Sequence, residues 1–517
     1  MKTQTIKPPV MNTREILRFF SPRWFIAIMG TGAVANILQI LSGRNEGLLH
    51  TSAVVLLSAA LMAFPIAFML LISRLGIDRK MLVKELEHSS LVQFYSAVFI
   101  AAGICATGLL KIPLPFLSQE MTLQMAKIFW FAALSLGICA AVLTPWRIIT
   151  MNHGEIRRIL GFWFLPPVGL FVVVFSGNFL ALRTADSRWI EAIALINAFL
   201  LGTALLLSLM IFTCFLLRAL TYPFPKNDVV PSFTIGLAPV GVSIIALLSY
   251  LPVLKQAPTW SFLPLTTLTP LIQFGSLLLW GFGLWWLMVS TLISITGALK
   301  GGIPTTLGYW AFIFPPAAFT LATLLLGQST GILFMQLAGK GFALIVTLGW
   351  VMVTWLTIRG TLDRSIFTLP PSFSEILPPA IHPDAGEKIA YTLFNGKFPV
   401  YSVDIAKDHF YRNLSDLTSN LKEKISMHPV ACHIADFDHF NHTQRAGGEM
   451  VPGLKNATNL IFCFGPKIED AKMMAVRPRS FGIAEFDNHF TISFLEAPSE
   501  NANKTMLEWV HSLMHHG

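Results

Sequence analysis

Seven residues of types that bind metals or carry protons fall within fifteen positions near the C-terminal end: His428, Cys432, His433, Asp436, Asp438, His439 and His442. Imidazole, thiolate and carboxylate are the ligands of zinc and related ions. His433, Asp438, His439 and His442 are the candidate ligands. A strand with alternate residues in solvent, followed by a polar turn, accounts for the same residues without any metal. No cysteine spacing of a zinc site or disulfide framework accompanies them, and the region has no nucleophile–base arrangement or Gly-rich phosphate loop. No metal, cofactor or enzymatic activity is expected.

A second set of polar residues lies inside long apolar runs: Thr31, Asn36, Gln93, Tyr95, Ser96, Asn178, Ser243, Thr305 and Thr306. No Asp or Glu sits deep in these runs. Glu191 stands at the mouth of one, and Lys127 and Lys340 lie toward one end of theirs. Ionisable residues at depth mark proton relays and cation sites, so their absence argues against a proton pump or an acidic-filter cation channel. Hydroxyls, amides and backbone N–H groups freed at helix breaks can hold anions without a fixed cation. Taken singly, each polar residue also suits a helix–helix hydrogen bond.

The elements that must position these residues are membrane spans. The chain is 54% hydrophobic and 13% charged, with a mean hydropathy of +0.62. Apolar runs place ten spans at about 23–41, 52–74, 91–110, 122–145, 160–182, 189–216, 232–254, 267–296, 307–327 and 333–358. The ninth carries Pro315-Pro316, expected near its middle, where proline removes a donor and kinks a helix. Gly30-Thr31-Gly32 in the first span, Gly103 and Gly108 in the third, Pro166-Pro167 in the fifth and Pro239 in the seventh make a recurring pattern in the odd spans. It predicts five helical hairpins whose bent first helices surround a central pore. Candidate pore residues are Thr31, Asn36, Ser96, Pro167, Asn178, Pro239, Ser243, Thr305, Thr306, Phe312 and Pro315.

Charge gives the orientation. Residues 1–370 hold 24 Lys+Arg and 11 Asp+Glu, a net +13, whereas residues 371–517 hold 13 and 17, a net −4. The basic excess belongs to one set of loops, carrying among others Arg74, Arg79, Lys80, Lys84, Arg147, Arg157, Arg158, Arg218, Arg359 and Arg364. The opposite set holds only Arg44, Lys111, Arg183, Arg188 and Lys255. Both termini are therefore expected in the cytoplasm of an inner (plasma) membrane protein, and no nucleic-acid partner is implied.

Several segments resemble one transporter family. Ser21-Pro22-Arg23-Trp24-Phe25 with Met29-Gly30-Thr31-Gly32 resembles the opening helix of the tellurite-resistance/dicarboxylate transporter family, which includes malate permeases, fungal sulfite exporters and plant slow anion channels. Trp163–Gly169, Pro231–Gly241, Trp280–Trp286 and Leu307–Pro315 resemble its fifth, seventh, eighth and ninth helices. The resemblance covers about residues 17–365. It implies ten helices, a pore lined by the odd helices, small inorganic or organic anions as cargo, and a homotrimer with one pore per subunit. Where characterised members carry a pore-plugging phenylalanine this chain has Thr305, with Thr306 the neighbouring choice. Phe312 or another aromatic must then close the path, or it is not gated this way.

The expected domains are an N-terminal segment 1–22, a membrane domain 23–365, a Pro-rich linker 366–386 punctuated by Pro370-Pro371 and Pro378-Pro379, and a soluble α/β (α+β) domain 387–517. Strands are expected over 398–405, 429–436, 459–464 and 480–494, and helices over 414–425, 468–474 and 504–514. Two segments, Phe437-Asp438-His439 with Ala446-Gly447 and Leu460–Lys467, resemble a small bacterial domain family of unassigned function. The leading functional expectation is an anion channel or facilitator. The alternatives are a sulfite, tellurite or C4-dicarboxylate transporter, or a membrane-anchored sensor that uses the C-terminal domain.

Overall fold

Among the described residues of the computed structural model, ten helical segments are long and apolar enough to cross a membrane. The structure describes residues 17, 20–43, 45–77, 79–150, 156, 159–184, 186–222, 224, 227–300, 302, 306–367, 389–394, 398–407, 411–465 and 471–514. The expected linker prolines and Thr305 lie outside these residues. The chain divides into two units, Met1–Ile376 and Leu377–Gly517.

In the first unit the odd spans contain α1 (Trp24–Ser42), α4 (Ser96–Lys111), α6 (Leu165–Ala181), α8 (Leu237–Gln256) and α10 (Phe314–Thr330). The even spans are α2 (Gly47–Ile77), α5 (Gln119–Thr150), α7 (Ser187–Thr221), α9 (Leu265–Leu299) and α11 (Leu333–Leu362). A short amphipathic α3 (Arg79–Glu87) follows α2. The odd helices pack in a closed cycle, α1 on α4, α4 on α6, α6 on α8, α8 on α10 and α10 back on α1. Each even helix lies against its hairpin partner and the next odd helix. Burial follows the same division: 67%, 89%, 94%, 72% and 78% along the odd spans, against 22%, 22%, 28%, 17% and 17% along the even ones. The even helices turn Met62, Leu206, Leu209, Leu278, Leu292 and Leu348 outward, as lipid contact requires.

Glycine makes this inner ring tight. A Cβ on Gly32 of α1 would stand 2.6 Å from the Ile104 side chain of α4. One on Gly103 of α4 would stand 2.6 Å from Val172 of α6, and one on Gly241 of α8 would meet the Ala318 backbone of α10 at 2.5 Å. Tryptophan ties the outer ring to it. Indole N–H groups of Trp130, Trp286 and Trp350 donate to Val173 O at 3.1 Å, Phe233 O at 3.0 Å and Thr31 Oγ1 at 3.1 Å.

The prolines of the odd spans act differently from the expected mid-helix kink. The third, fifth, seventh and ninth spans begin with 3-10 segments (Val92–Tyr95, Gly161–Phe164, Asn227–Gly236 and Leu307–Phe312), and the α-helices start after them. Pro166-Pro167 and Pro315-Pro316 occupy the first turns of α6 and α10, and Pro239 that of α8. A first-turn N–H has no intrahelical acceptor, so proline costs nothing there and pre-sets φ. These spans are therefore broken into two pieces; prolines interior to an α-helix are Pro65, Pro145 and Pro270 in even helices and Pro252 near the C-terminal end of α8.

The second unit is a six-stranded, wholly antiparallel sheet, hence α+β. Its strands are β1 (Ala390–Phe394), β2 (Phe398–Ala406), β3 (Ala431–Asp438), β4 (Asn456–Phe464), β5 (Arg479–Glu485) and β6 (His489–Leu495), in the order β1-β2-β6-β5-β4-β3. One face carries Tyr401, Val403, Leu460, Phe462, Phe481, Phe490 and Ile492. It packs on Leu417, Leu421 and Ile425 of α12 (Leu414–Met427) and on Met506, Trp509 and Val510 of α14 (Glu500–His511). Strand β1 and the short α13 (His439–Arg445) had no counterpart in the sequence reading.

Candidate functional site: an axial path with two cavities

Two cavities lie within the inner ring, and each is lined by all five odd spans. The N-end cavity, at the N-terminal ends of the odd helices, has a volume of about 30 Å³. Arg23, Ile26 and Met29 line it from the first span, Phe94 from the third, Phe162 and Leu165 from the fifth, Asp228 and Ile235 from the seventh, and Thr306, Leu307, Phe314 and Pro315 from the ninth. The C-end cavity is larger, about 280 Å³, and is lined by Asn36, Gln39, Ile104, Thr107, Lys111, Phe175, Phe179, Ile245, Leu321, Leu325 and Gln328, among others. The stretches between the two linings hold buried apolar residues, Ala97 and Ala101, Val168 and Val172, Ala238 and Val242, and Ala318, beside the buried hydroxyls of Ser96, Ser243 and Thr320.

Among the described residues, each cavity holds one basic side chain. Arg23 is 5% exposed and is aimed by its own neighbours. Its Nε and backbone N–H donate to Ser21 Oγ at 3.1 and 3.3 Å, and its guanidinium carbon lies 6.0 Å from the Phe94 ring centroid. Glu85 and Asp228 are the carboxylates in electrostatic reach of Arg23. Glu85 is already engaged: it takes a two-pronged ion pair from Arg74 at 2.6 and 2.8 Å and a hydrogen bond from Tyr95 Oη at 2.9 Å. Asp228, in the 3-10 segment Asn227–Gly236, is the carboxylate that lines the cavity with Arg23. Among the described residues Lys111 is the single charged residue lining the C-end cavity, at the last turn of α4, where a cation balances the helix dipole.

The residues singled out from sequence divide into three groups. Thr306 and Pro315 meet in the N-end cavity, where the Thr306 hydroxyl accepts the Gly308 N–H at 3.1 Å. Asn36 faces the C-end cavity, with its Nδ2 donating to Gly32 O at 2.8 Å. The others point elsewhere. Thr31 accepts from Trp350 of the outer ring. Ser96 lines a groove with Phe68 and Ala140 of the even spans. Ser243 donates to Val240 O in its own helix. Asn178 donates to Ala246 O and Ser249 Oγ at 3.3 and 3.0 Å and accepts from Asn197 Nδ2 at 2.8 Å, joining α6, α8 and α7. Pro167 and Pro239 are buried in the first turns of their helices. Phe312 is half-buried against Tyr309, and the aromatic rings at the N-end cavity are Phe94, Phe162 and Phe314.

The metal-type cluster of the second unit is spread along β3 and α13. Among the described residues, no three His, Cys, Asp or Glu come close enough to hold a metal ion. Asp436 accepts from Lys422 and pairs with His433 Nε2 at 2.8 Å. Burial pushes its carboxyl up, but those two partners outweigh it and hold the group below the usual range. Asp438 caps α13: the Asn441 backbone N–H at 2.9 Å and its side-chain amide at 2.6 Å hold that carboxyl low as well. His439 packs edge-on against the Phe437 ring and His442 lies tilted against it, with centroids 4.6 and 5.4 Å away.

Comparison with known proteins places both units. Residues 389–515 match a family of unknown function. The first unit aligns with an uncharacterized transporter of Methanocaldococcus jannaschii, 26% identical over 68% of this chain and 98% of the relative. A protein named as a sulfite efflux pump in Trichophyton rubrum is 28% identical over 67% of this chain and 92% of its own length. A malic acid transport protein of Schizosaccharomyces pombe is 19% identical over 70% and 83%. Residues 19–358, which contain all five hairpins and both axial cavities, match the model of the voltage-dependent anion channel family, and the chain belongs to that family.

Proposed function

We propose that the chain carries small anions along the axis of the inner ring, from Arg23 through an apolar waist to Lys111. The observation that carries this reading is the pair of axial cavities, each lined by all five odd spans and, among the described residues, each holding one basic side chain. A cation at each end raises the local anion concentration. The apolar waist between them binds nothing tightly, so an anion that enters can also leave. Basic loop charge supports placing the N-end cavity and both termini on the cytoplasmic side of an inner membrane, and the family resemblance supports a homotrimer with one path per subunit.

Among cargoes, the narrow N-end cavity favours small inorganic anions, including oxyanions of the sulfite and tellurite class, over C4 dicarboxylates. At about 30 Å³ it has room for about one or two waters, and a four-carbon dianion would have to force the five helices apart. Purified protein in liposomes, offered chloride, nitrate, sulfite, tellurite and malate in turn, tests both statements. Flux of the small anions that falls in Arg23→Gln and Lys111→Gln is the expected result. No anion flux from well-folded protein would favour the sensor reading, and malate outpacing the inorganic anions would overturn the size argument.

A further inference from the structure

Cys432 of β3 and Cys463 of β4 are register partners in the second unit, directly opposite each other across an antiparallel pair. Partners in a ladder project to the same face, and this is the face away from α12 and α14, since Leu460 and Phe462 point into the core. Cys432 is exposed and Cys463 half-exposed, and both are free thiols. The Gly465 N–H donates to Val430 O at 2.8 Å. That bond makes 430/465 a hydrogen-bonded pair, and by alternation 432/463 is the next one along. Such pairs hold their Cα atoms about 5.5 Å apart, inside the ~4.4–6.8 Å range of a disulfide. Their Cβ atoms stand about 4.5–5.5 Å apart, so bonding requires an approach of the order of 1 Å. Strand β3 can supply it. It is the outermost strand, held on one side only, and its register shifts between His433 and Ala435, just beyond the cysteine.

We propose that Cys432 and Cys463 form a thiol–disulfide modification site, closed by exchange with a low-molecular-weight disulfide such as oxidised glutathione. The Cys432 thiolate, the more exposed of the two, attacks one sulfur of that disulfide. A mixed disulfide forms and one small thiolate leaves. The Cys463 thiolate then attacks Cys432 Sγ, the intramolecular S–S bond forms, and the second small thiolate leaves. The two protein thiols give up two electrons and two protons, and the small disulfide takes them as two thiols. An exposed pair of this kind is accessible to reduction by the same route. Closure converts β3 from a strand held by one ladder into one covalently tied to β4.

The test uses the full-length protein in detergent, equilibrated with mixtures of reduced and oxidised glutathione, alkylated and digested. A 432–463 cross-linked peptide is expected to appear within the monomer as the oxidised fraction rises, and to vanish on return to reduced glutathione. Cys463→Ser is expected to trap the glutathione adduct at Cys432, because the resolving thiol is gone. Hydrogen exchange of β3 amides is expected to slow on oxidation of the unmodified chain and not in the variant. Persistent separate adducts on both cysteines of the unmodified chain would overturn the proposal, as would a cross-link found only between two chains.

Discussion

Lys111 Nζ stands 3.8 Å from the centroid of the Phe179 ring, a cation resting on an aromatic face in the wall of the C-end cavity. Both residues line that cavity. Arg183 anchors the same corner by donating from Nη2 to Leu110 O at 2.9 Å. The contact with the ring contributes about 0.5–2 kcal/mol, enough to park the ammonium and weak enough for an arriving anion to draw it away. Lys111→Gln is expected to lower anion flux at low salt by roughly threefold to tenfold, the effect of one charge a few ångströms from the path. High salt should shrink the difference, because ions screen that field. A salt-independent deficit would show that the side chain acts through packing.

Close helix packing should be separable from the path. At Gly241 a methyl would meet the Ala318 carbonyl carbon at 2.5 Å and the Phe319 nitrogen at 2.6 Å, backbone atoms that cannot yield. Gly241→Ala is expected to destabilise the membrane unit by about 1–3 kcal/mol or more. Gly281, on the outer α9, has nothing within 4 Å of its built Cβ. There the same change should stabilise slightly, by about 0.5–1 kcal/mol, through the helix preference of alanine. Thermal unfolding in detergent reads both, and opposite signs are the expected outcome.

Asn178 offers a third measurement. Its amide holds Ser249, Ala246 O and Asn197 together across three helices. Asn178→Leu removes these three bonds, while Asn197 Nδ2 keeps Val174 O and Ser249 Oγ keeps Ala246 O, so the loss should be about 1–3 kcal/mol in all. The melting temperature should fall while flux per folded protein stays level. A large change in flux without a change in stability would return this residue to the path.

The ten spans were legible because bilayer thickness sets the length of an uncharged run, and the ends read from sequence fall within about five residues of those observed. The inner and outer rings were legible from glycine at the odd helices. What the prolines do was not, since a pair such as Pro315-Pro316 looks alike in a kinked helix and in the first turn after a 3-10 segment. The path residues were harder still. Thr31 and Asn36 share a helix and a polar character, yet one faces Trp350 and the other the cavity, a matter of rotation that only packing decides. Arg23, Asp228 and Lys111 lie at span ends, where charge has the look of ordinary interfacial anchoring. Ser21-Pro22-Arg23 carried a usable signal: a hydroxyl two residues before an arginine at a helix start can fold back and aim it, as Ser21 does.

The sharpest expectation concerns Arg23 and Asp228 together. They line the same N-end cavity from the first and seventh spans, at 5% and 8% exposure, so a carboxylate as well as a guanidinium faces an arriving anion. Arg23→Gln removes the attraction and leaves Asp228 as the nearest fixed charge, so anions should be repelled and flux should drop at least tenfold. Replacing a buried arginine also changes stability, so flux must be normalised to folded protein. Asp228→Asn alone should raise anion flux, because the cavity then loses its lining carboxylate and keeps Arg23. The double variant, Arg23→Gln with Asp228→Asn, restores neutrality without restoring the attraction. Its flux and its stability should both lie between those of Arg23→Gln and the unmodified chain, the signature of coupled neighbours. If the double variant transports no better than Arg23→Gln, the carboxylate does not oppose the anion, and the N-end cavity is a wall of the helix bundle instead of the mouth of a path.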